Sequence, residues 1–234
     1  MSSFAKPKPT IVLVPGCWHI PAHYQELIDL LQNAGHPIEF ANLPSLNPSD
    51  APRQTVTADI DAVRQKILSQ VNKGKDVILL SHSYGGCPGG AAAKGLSPAE
   101  RPDSGAVIGL VWFAGYLGEG RMGVKDPVDV FYHDVPTEKA SWAASKLQTH
   151  ALAPLISPCP SPAWKDTAFD GRRGYIFARQ DHAMPLYFQE RMVRDSGVNW
   201  NLKELEASHS PHLSKPQELT GHILEIISSF EARP

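Results

Sequence analysis

The sequence predicts an α/β fold: a doubly wound, mostly parallel sheet with helices on both faces and a small helical cap. Two observations predict it. Short apolar runs, Ile11-Val12-Leu13-Val14, Val77-Ile78-Leu79-Leu80 and residues 106–114, have the length and continuity of strands buried on both faces. The stretches between them place apolar residues at helical spacing, and strands alternating with helices imply parallel pairing with the helices packed on the sheet.

The elements follow in order. The run at 11–14 ends in Pro15-Gly16 and is followed by Cys17-Trp18-His19-Ile20-Pro21. A helix comes next, with Tyr24, Leu27, Ile28, Leu30 and Leu31 on its apolar face and Gly35 as its stop. Residues 38–43 read as a short strand and 44–52 as a Pro- and Ser-rich loop. Residues 57–72 form a helix on the spacing of Ile60, Val63, Ile67, Leu68 and Val71, closed by Gly74. The run at 77–80 enters Ser81-His82-Ser83-Tyr84-Gly85-Gly86, and a helix is expected over about 85–95. After the strand at 106–114 the rhythm breaks into Gly/Pro punctuation and aromatic-bearing pieces, read as a cap inserted at about 116–171. Strand 175–178, helix 185–194, strand 202–205 and helix 216–230 complete the chain.

Composition bounds the function. At 234 residues the chain is most simply one domain, 1–234, large enough for a substantial core. Lys plus Arg number 22 against 24 Asp plus Glu, a formal net charge of -2 with no basic stripe, so nucleic acid is not an expected partner. Residues 1–9 are polar and no apolar run is long enough to span a bilayer. The expectation is a soluble, cytoplasmic protein without a membrane partner, monomeric or homodimeric. Three cysteines, Cys17, Cys87 and Cys159, are too few and scattered for a disulfide framework and read as reduced thiols.

Ser83 sits in a small-x-Ser-x-Gly turn between strand and helix. Such a turn, the nucleophile elbow, holds a serine oxygen clear of the sheet beside the free N–H groups of a helix N-terminus. Ser81 stands where glycine is usual and is nearly as small. In a doubly wound sheet the loops at the carboxyl ends of the strands share one edge, so Ser83, Asp181 in Arg179-Gln180-Asp181-His182 and His209 in Ser208-His209-Ser210-Pro211-His212 can meet there. A serine hydroxyl needs a base at neutral pH. His209 would take its proton while Asp181 fixes the imidazole tautomer. A metal on His209, His212, Asp181 and His182 would occupy that base, and no metal or other cofactor is expected.

Pro15-Gly16-Cys17-Trp18-His19, the turn at 81–86, Gln180-Asp181-His182-Ala183-Met184-Pro185 and the tail His209 to Pro216 together resemble one branch of the α/β-hydrolase superfamily. That branch holds the plant methylesterases and hydroxynitrile lyases and their fungal and bacterial serine-hydrolase homologues. The resemblance covers nearly the whole chain, and the cap is its weakest part. It implies an oxyanion hole made by the backbone N–H groups of Cys17 and Tyr84. The hydroxynitrile lyases of this branch carry threonine and lysine where this chain has Gly16 and Ser210, which favours an esterase. Trp18, His19, Phe131, Tyr132, Trp142 and Trp164 are candidates to bound the pocket.

The expected function is a serine hydrolase cleaving a carboxylic ester, thioester or lactone of a small molecule through an acyl-enzyme. Two alternatives use the same fold. One is a biosynthetic enzyme performing cyclisation, acyl transfer or C–C cleavage on a secondary metabolite, and the other is a ligand receptor that retains its triad.

Overall fold

The computed structural model describes residues 7–117 and 126–231, so 118–125 of the expected cap lie outside the described residues. Six parallel strands form one sheet in the order β2-β1-β3-β4-β5-β6. They are β1 (Thr10–Val14), β2 (Ile38–Phe40), β3 (Val77–His82), β4 (Val107–Phe113), β5 (Arg173–Ala178) and β6 (Asn201–Leu205). Strand β2 stops at Phe40, short of the expected 43, although Ala41 N–H still donates to Leu13 O at 2.9 Å.

Alternation along the strands divides the core into two layers. Ile11 and Leu13 of β1 and Ile78 and Leu80 of β3 face one side, where α1 (Gln25–Asn33) and α9 (Pro216–Glu231) bring Leu27, Leu31, Leu219, Ile223 and Phe230. Val12, Val14, Val77 and Leu79 face the other, against Val63 and Ile67 of α2 (Val56–Val71) and Val193 of α7 (Leu186–Asp195). Every residue of β1 and β3 is buried, the two-sided burial that their unbroken apolar runs predict. Each of these aliphatic side chains stabilises the fold by about 1.5–3 kcal/mol relative to exposure.

Chain order reverses direction across the sheet between β1 and β3. That topological switch point opens a crevice beyond their carboxyl ends, where a ligand can reach both loops. After β3 the chain makes a tight turn, Ser83–Gly85, and enters α3 (Gly86–Ala92), which ends three residues before the expected Gly95. The turn needs glycine at 85, because a Cβ there would lie 2.5 Å from the carbonyl oxygens of both Val14 and Pro15. Ser81 is tolerated for a related reason. Its Oγ faces Gly89 of α3, where any Cβ would come within 2.6 Å of it.

Between β4 and β5 the described residues hold α4 (Pro127–Tyr132), α5 (Thr137–Lys146) and α6 (Leu152–Ile156), followed by single 3-10 turns at Ala163–Lys165 and Thr167–Phe169. Asp126 caps α4, accepting from the N–H groups of Val128 and Asp129. One expectation is overturned here. Cys87 of α3 and Cys159, just beyond α6, form a disulfide with their Cα atoms 6.0 Å apart, so only Cys17 is a free thiol. The pairing joins residues 72 apart, brought together because α3 runs beneath the chain returning from α6. The last part of the chain is α8 (Pro211–Ser214), leading directly into α9.

Candidate active site

Ser83, Asp181 and His209 follow β3, β5 and β6, and the parallel sheet delivers all three to one edge. Ser83 adopts φ 50°, the left-handed region that residues with a Cβ avoid, and it is held there from both sides. Its N–H donates to Ala114 O at 3.1 Å and its carbonyl accepts from Tyr116 N–H at 2.9 Å. Ser83 Oγ lies 2.8 Å from His209 Nε2, and His209 Nδ1 lies 2.7 Å from Asp181 Oδ2. All three residues are buried. With the Nδ1 proton donated to the carboxylate, Nε2 is left to accept from the serine hydroxyl.

Asp181 is fixed by its own loop. Its Oδ1 accepts from the N–H groups of Ala183 and Met184 at 2.7 and 2.8 Å. Gln189, fully buried on α7, donates to Ala178 O and Met184 O and accepts from Ala178 N–H, tying both ends of this loop together. Nothing in the sequence pattern singles out Gln189 except a polar residue inside a helix that must face the sheet.

The loop after β1 packs directly on the elbow. A Cβ on Gly16 would lie 3.0 Å from Ser83 Cβ and 3.0 Å from His82 Nδ1, so a side chain there needs these neighbours to give by a few tenths of an ångström. Gly16 N–H donates to Tyr24 Oη at 2.9 Å, Tyr24 Oη lies 2.8 Å from His82 Nδ1, and His82 Nε2 lies 2.9 Å from His209 O. One assignment satisfies every member: the Tyr24 hydroxyl donates to Nδ1, and His82 Nε2–H donates to the His209 carbonyl. This chain links the loop after β1 to the backbone of the histidine that meets Ser83. Sequence pattern gives no hint of it, since its members are 8, 58 and 127 residues apart.

The aromatic candidates separate into three pairs. Phe131 packs beside the His209 ring, with centroids 5.4 Å apart, and Trp18 lies 5.8 Å from Phe131, so these two flank the site. His19 and Tyr132 stand behind them: His19 Nδ1 lies 2.6 Å from Cys17 O, and its Nε2 lies 2.9 Å from Tyr132 Oη. Their polar atoms brace the β1 loop. Trp142 and Trp164 pack on other residues. Trp142 is 37% exposed and packs on His23, while Trp164 is buried in the core beside Trp200.

Burial pushes the Cys17 thiol well up, which removes it as a thiolate nucleophile. Burial likewise holds His19, His82 and His212 well below the ordinary imidazole range, each reinforced by neighbouring histidines. Neither ring nitrogen of His212 has a hydrogen-bond partner among the described residues, and the ring stacks on Tyr24 at 4.4 Å. Among the described residues no group of three or more His, Cys, Asp and Glu is placed to hold a metal ion, and no helix is long and apolar enough to cross a membrane.

A doubly wound parallel sheet with a serine at a strained strand-to-helix turn, hydrogen-bonded to a histidine and through it to an aspartate, defines a class that the comparisons identify. The chain belongs to the alpha/beta hydrolase family, whose model matches residues 11–221. It is 29% identical to the alpha/beta hydrolase nvfD of Aspergillus novofumigatus, over 89% of this chain and 92% of that one. It is 26% identical to Methylesterase 7 of Arabidopsis thaliana, over 94% and 96%. The crystal structure of a pyrethroid hydrolase from Sphingobium faniae shares the fold, with a TM-score of 0.74 and 22% identity, over 94% of this chain and 97% of that chain. These relatives are fungal, plant and bacterial, the range that the motif resemblance implies.

Proposed function

We propose that this protein is a serine hydrolase that cleaves a carboxylic ester, thioester or lactone of a small molecule through an acyl-enzyme on Ser83. The observation that carries the reading is the hydrogen-bonded sequence from Ser83 Oγ to His209 Nε2 and from His209 Nδ1 to Asp181 Oδ2, buried at the carboxyl edge of the sheet. His209 takes the proton as Ser83 Oγ attacks the carbonyl carbon, and Asp181 stabilises the imidazolium that forms. The same proton goes to the leaving alcohol or thiol. Water, deprotonated by His209, then attacks the acyl carbon and releases the acid and Ser83.

The carbonyl oxygen becomes an oxyanion at each attack. The N–H groups of Cys17 and Tyr84 are the donors this reading assigns to it, each worth on the order of 3 kcal/mol in the transition state. Close packing of Gly16 on Ser83 supports the first, because it keeps the β1 loop within reach of the reacting carbon. Trp18 and Phe131 would bound the substrate, with the insertion between β4 and β5 acting as the cap. Names of relatives such as Methylesterase 7 agree with ester chemistry.

Steady-state turnover of a short panel of chromogenic acyl esters, wild type beside Ser83→Ala, tests this function. Repeated turnover by wild type and a loss of at least about a thousandfold in the variant are expected. Full activity in Ser83→Ala would overturn the reading. A burst of one product equivalent without steady turnover would instead assign the acyl-enzyme to transfer onto a second substrate.

A further inference from the structure

Tyr84 carries two functions that point in different directions. Its backbone N–H is an oxyanion donor in the acyl-enzyme reading above, on which this inference rests. Its side chain runs toward α2, where the hydroxyl donates to Asp59 Oδ2 at 2.6 Å. Asp59 is fully buried on the face of α2 that also buries Val56, Val63 and Ile67. Ser45, in the loop after β2, supplies the other bonds: its N–H donates to Asp59 Oδ1 at 3.0 Å and its hydroxyl to Oδ2 at 2.6 Å. Ser45 Oγ lies 3.0 Å from His150 Nε2, and Ser45 O accepts from Ala151 N–H at 2.9 Å. One carboxylate therefore joins the elbow, the loop after β2 and the chain entering α6.

Stability alone gives no reason for a carboxylate in this stripe, since a well-packed apolar residue at a buried ionic position is often neutral or better. Burial raises the Asp59 pKa, and the three donors offset part of that cost. Burial and the neighbouring carboxylate push the Tyr84 phenol up, so it keeps its proton and serves as the donor. What the network does supply is fixed geometry beside a strained residue. Ser83 at φ 50° persists only if its surroundings over-determine it, and the residue that follows it must be held as well.

We infer that Asp59 is a positioning residue that, through the Tyr84 hydroxyl, aims the Tyr84 N–H at the oxyanion formed when Ser83 is acylated. Donors at such a site act only when preorganised, and a displacement of about 1 Å far from the chemistry can cost a hundredfold in rate. The helix anchors the donor from behind, without touching substrate. Through Ser45 and His150 the same anchor takes the position of the insertion into account.

The test compares Tyr84→Phe, which deletes one oxygen and keeps the ring, with Asp59→Ala and with Asp59→Asn, whose amide oxygen can still accept from Tyr84. The readouts are kcat and KM on a p-nitrophenyl ester and the inhibition constant of an aryl trifluoromethyl ketone, which forms a hemiketal oxyanion on serine. Tyr84→Phe and Asp59→Ala should lower kcat on the order of ten- to a hundredfold and weaken the ketone in parallel, while KM stays within about threefold. Asp59→Asn, which keeps the acceptor for Tyr84 but sets an NH2 against the Ser45 N–H, should fall between wild type and Asp59→Ala. Wild-type kcat and ketone affinity in Tyr84→Phe overturn the inference, and so does a loss confined to KM. If Asp59→Ala does not fold, Tyr84→Phe alone decides. Fluorophosphonate labelling of wild-type Ser83 is run alongside. A labelled Ser83 with an unaffected Tyr84→Phe overturns this inference alone, whereas an unlabelled Ser83 overturns the acyl-enzyme reading and this inference with it.

Discussion

Lowering the pH from 8 to 5.5 should remove about 4 kcal/mol of folding stability through three buried histidines, His19, His82 and His212. All three have folded pKa values held well below the unfolded value near 6.5, because burial disfavours the imidazolium. The native state therefore favours the neutral ring. Its stabilisation is complete above the unfolded pKa and is lost as pH falls from about 6.5 toward the folded values. One unit below 6.5 an unfolded histidine has gained on the order of 1 kcal/mol from protonation, and three of them make about 4. His23 and His150 are lowered by burial as well, His150 to about 4, and add in the same direction. Asp59, raised by burial, works in the opposite direction, but it is one carboxyl against several imidazoles. Against a total of about 5–15 kcal/mol for a domain, the loss is large. Urea unfolding at 25 °C at both pH values measures it, and His212→Phe isolates one group. Among the described residues His212 makes no hydrogen bond through either ring nitrogen, so phenylalanine keeps the stack on Tyr24 and sacrifices none of the described partners. The variant should show a pH dependence smaller by on the order of 1 kcal/mol. Equal stability at pH 8 and 5.5, or an unchanged dependence in His212→Phe, would refute the reasoning.

Three further outcomes are expected. Asp181→Asn should lower kcat by on the order of a thousandfold or more with the fold intact. The amide oxygen can still accept from Ala183 and Met184, which turns the NH2 toward His209 Nδ1 and forces the proton onto Nε2, where it blocks Ser83. Steady-state kinetics beside circular dichroism checks both halves. Cys159→Ser should reduce stability by about 4 kcal/mol, the chain-entropy value for a closed loop of 72 residues, and wild type should titrate one thiol in denaturant rather than three. Gly16→Thr should cost on the order of tenfold in kcat, because its Cβ meets Ser83 Cβ and His82 at 3.0 Å and these neighbours must give by a few tenths of an ångström.

The sheet was legible because β1, β3 and β4 carry apolar runs of strand length, the pattern that two-sided burial favours. The meeting of Ser83, Asp181 and His209 was legible for a different reason. Parallel topology sends every strand's carboxyl end to one edge, so three loops far apart in sequence had one place to meet. Short elements at edges were read less well. Strand β2 ends at Phe40 because the chain then leaves an edge with one neighbour, and a propensity pattern does not see that loss. Other side-chain links across the fold left no pattern in the sequence. The Cys87–Cys159 bond spans 72 residues, and the chain from Gly16 through Tyr24 and His82 to His209 has no spacing to betray it. Asp59 did leave a signal. It falls on the same helical face as Val56 and Val63, and a carboxylate in an apolar stripe asks for buried partners.

The account stands on Ser83 as the nucleophile. Its most direct test is intact-protein and peptide mass spectrometry after a serine-directed fluorophosphonate, on wild type and Ser83→Ala. A single adduct is expected on wild type, mapped to the peptide containing Ser83, and none on the variant. Wild type that stays unlabelled while turning over esters, or an adduct that persists in Ser83→Ala, would contradict it.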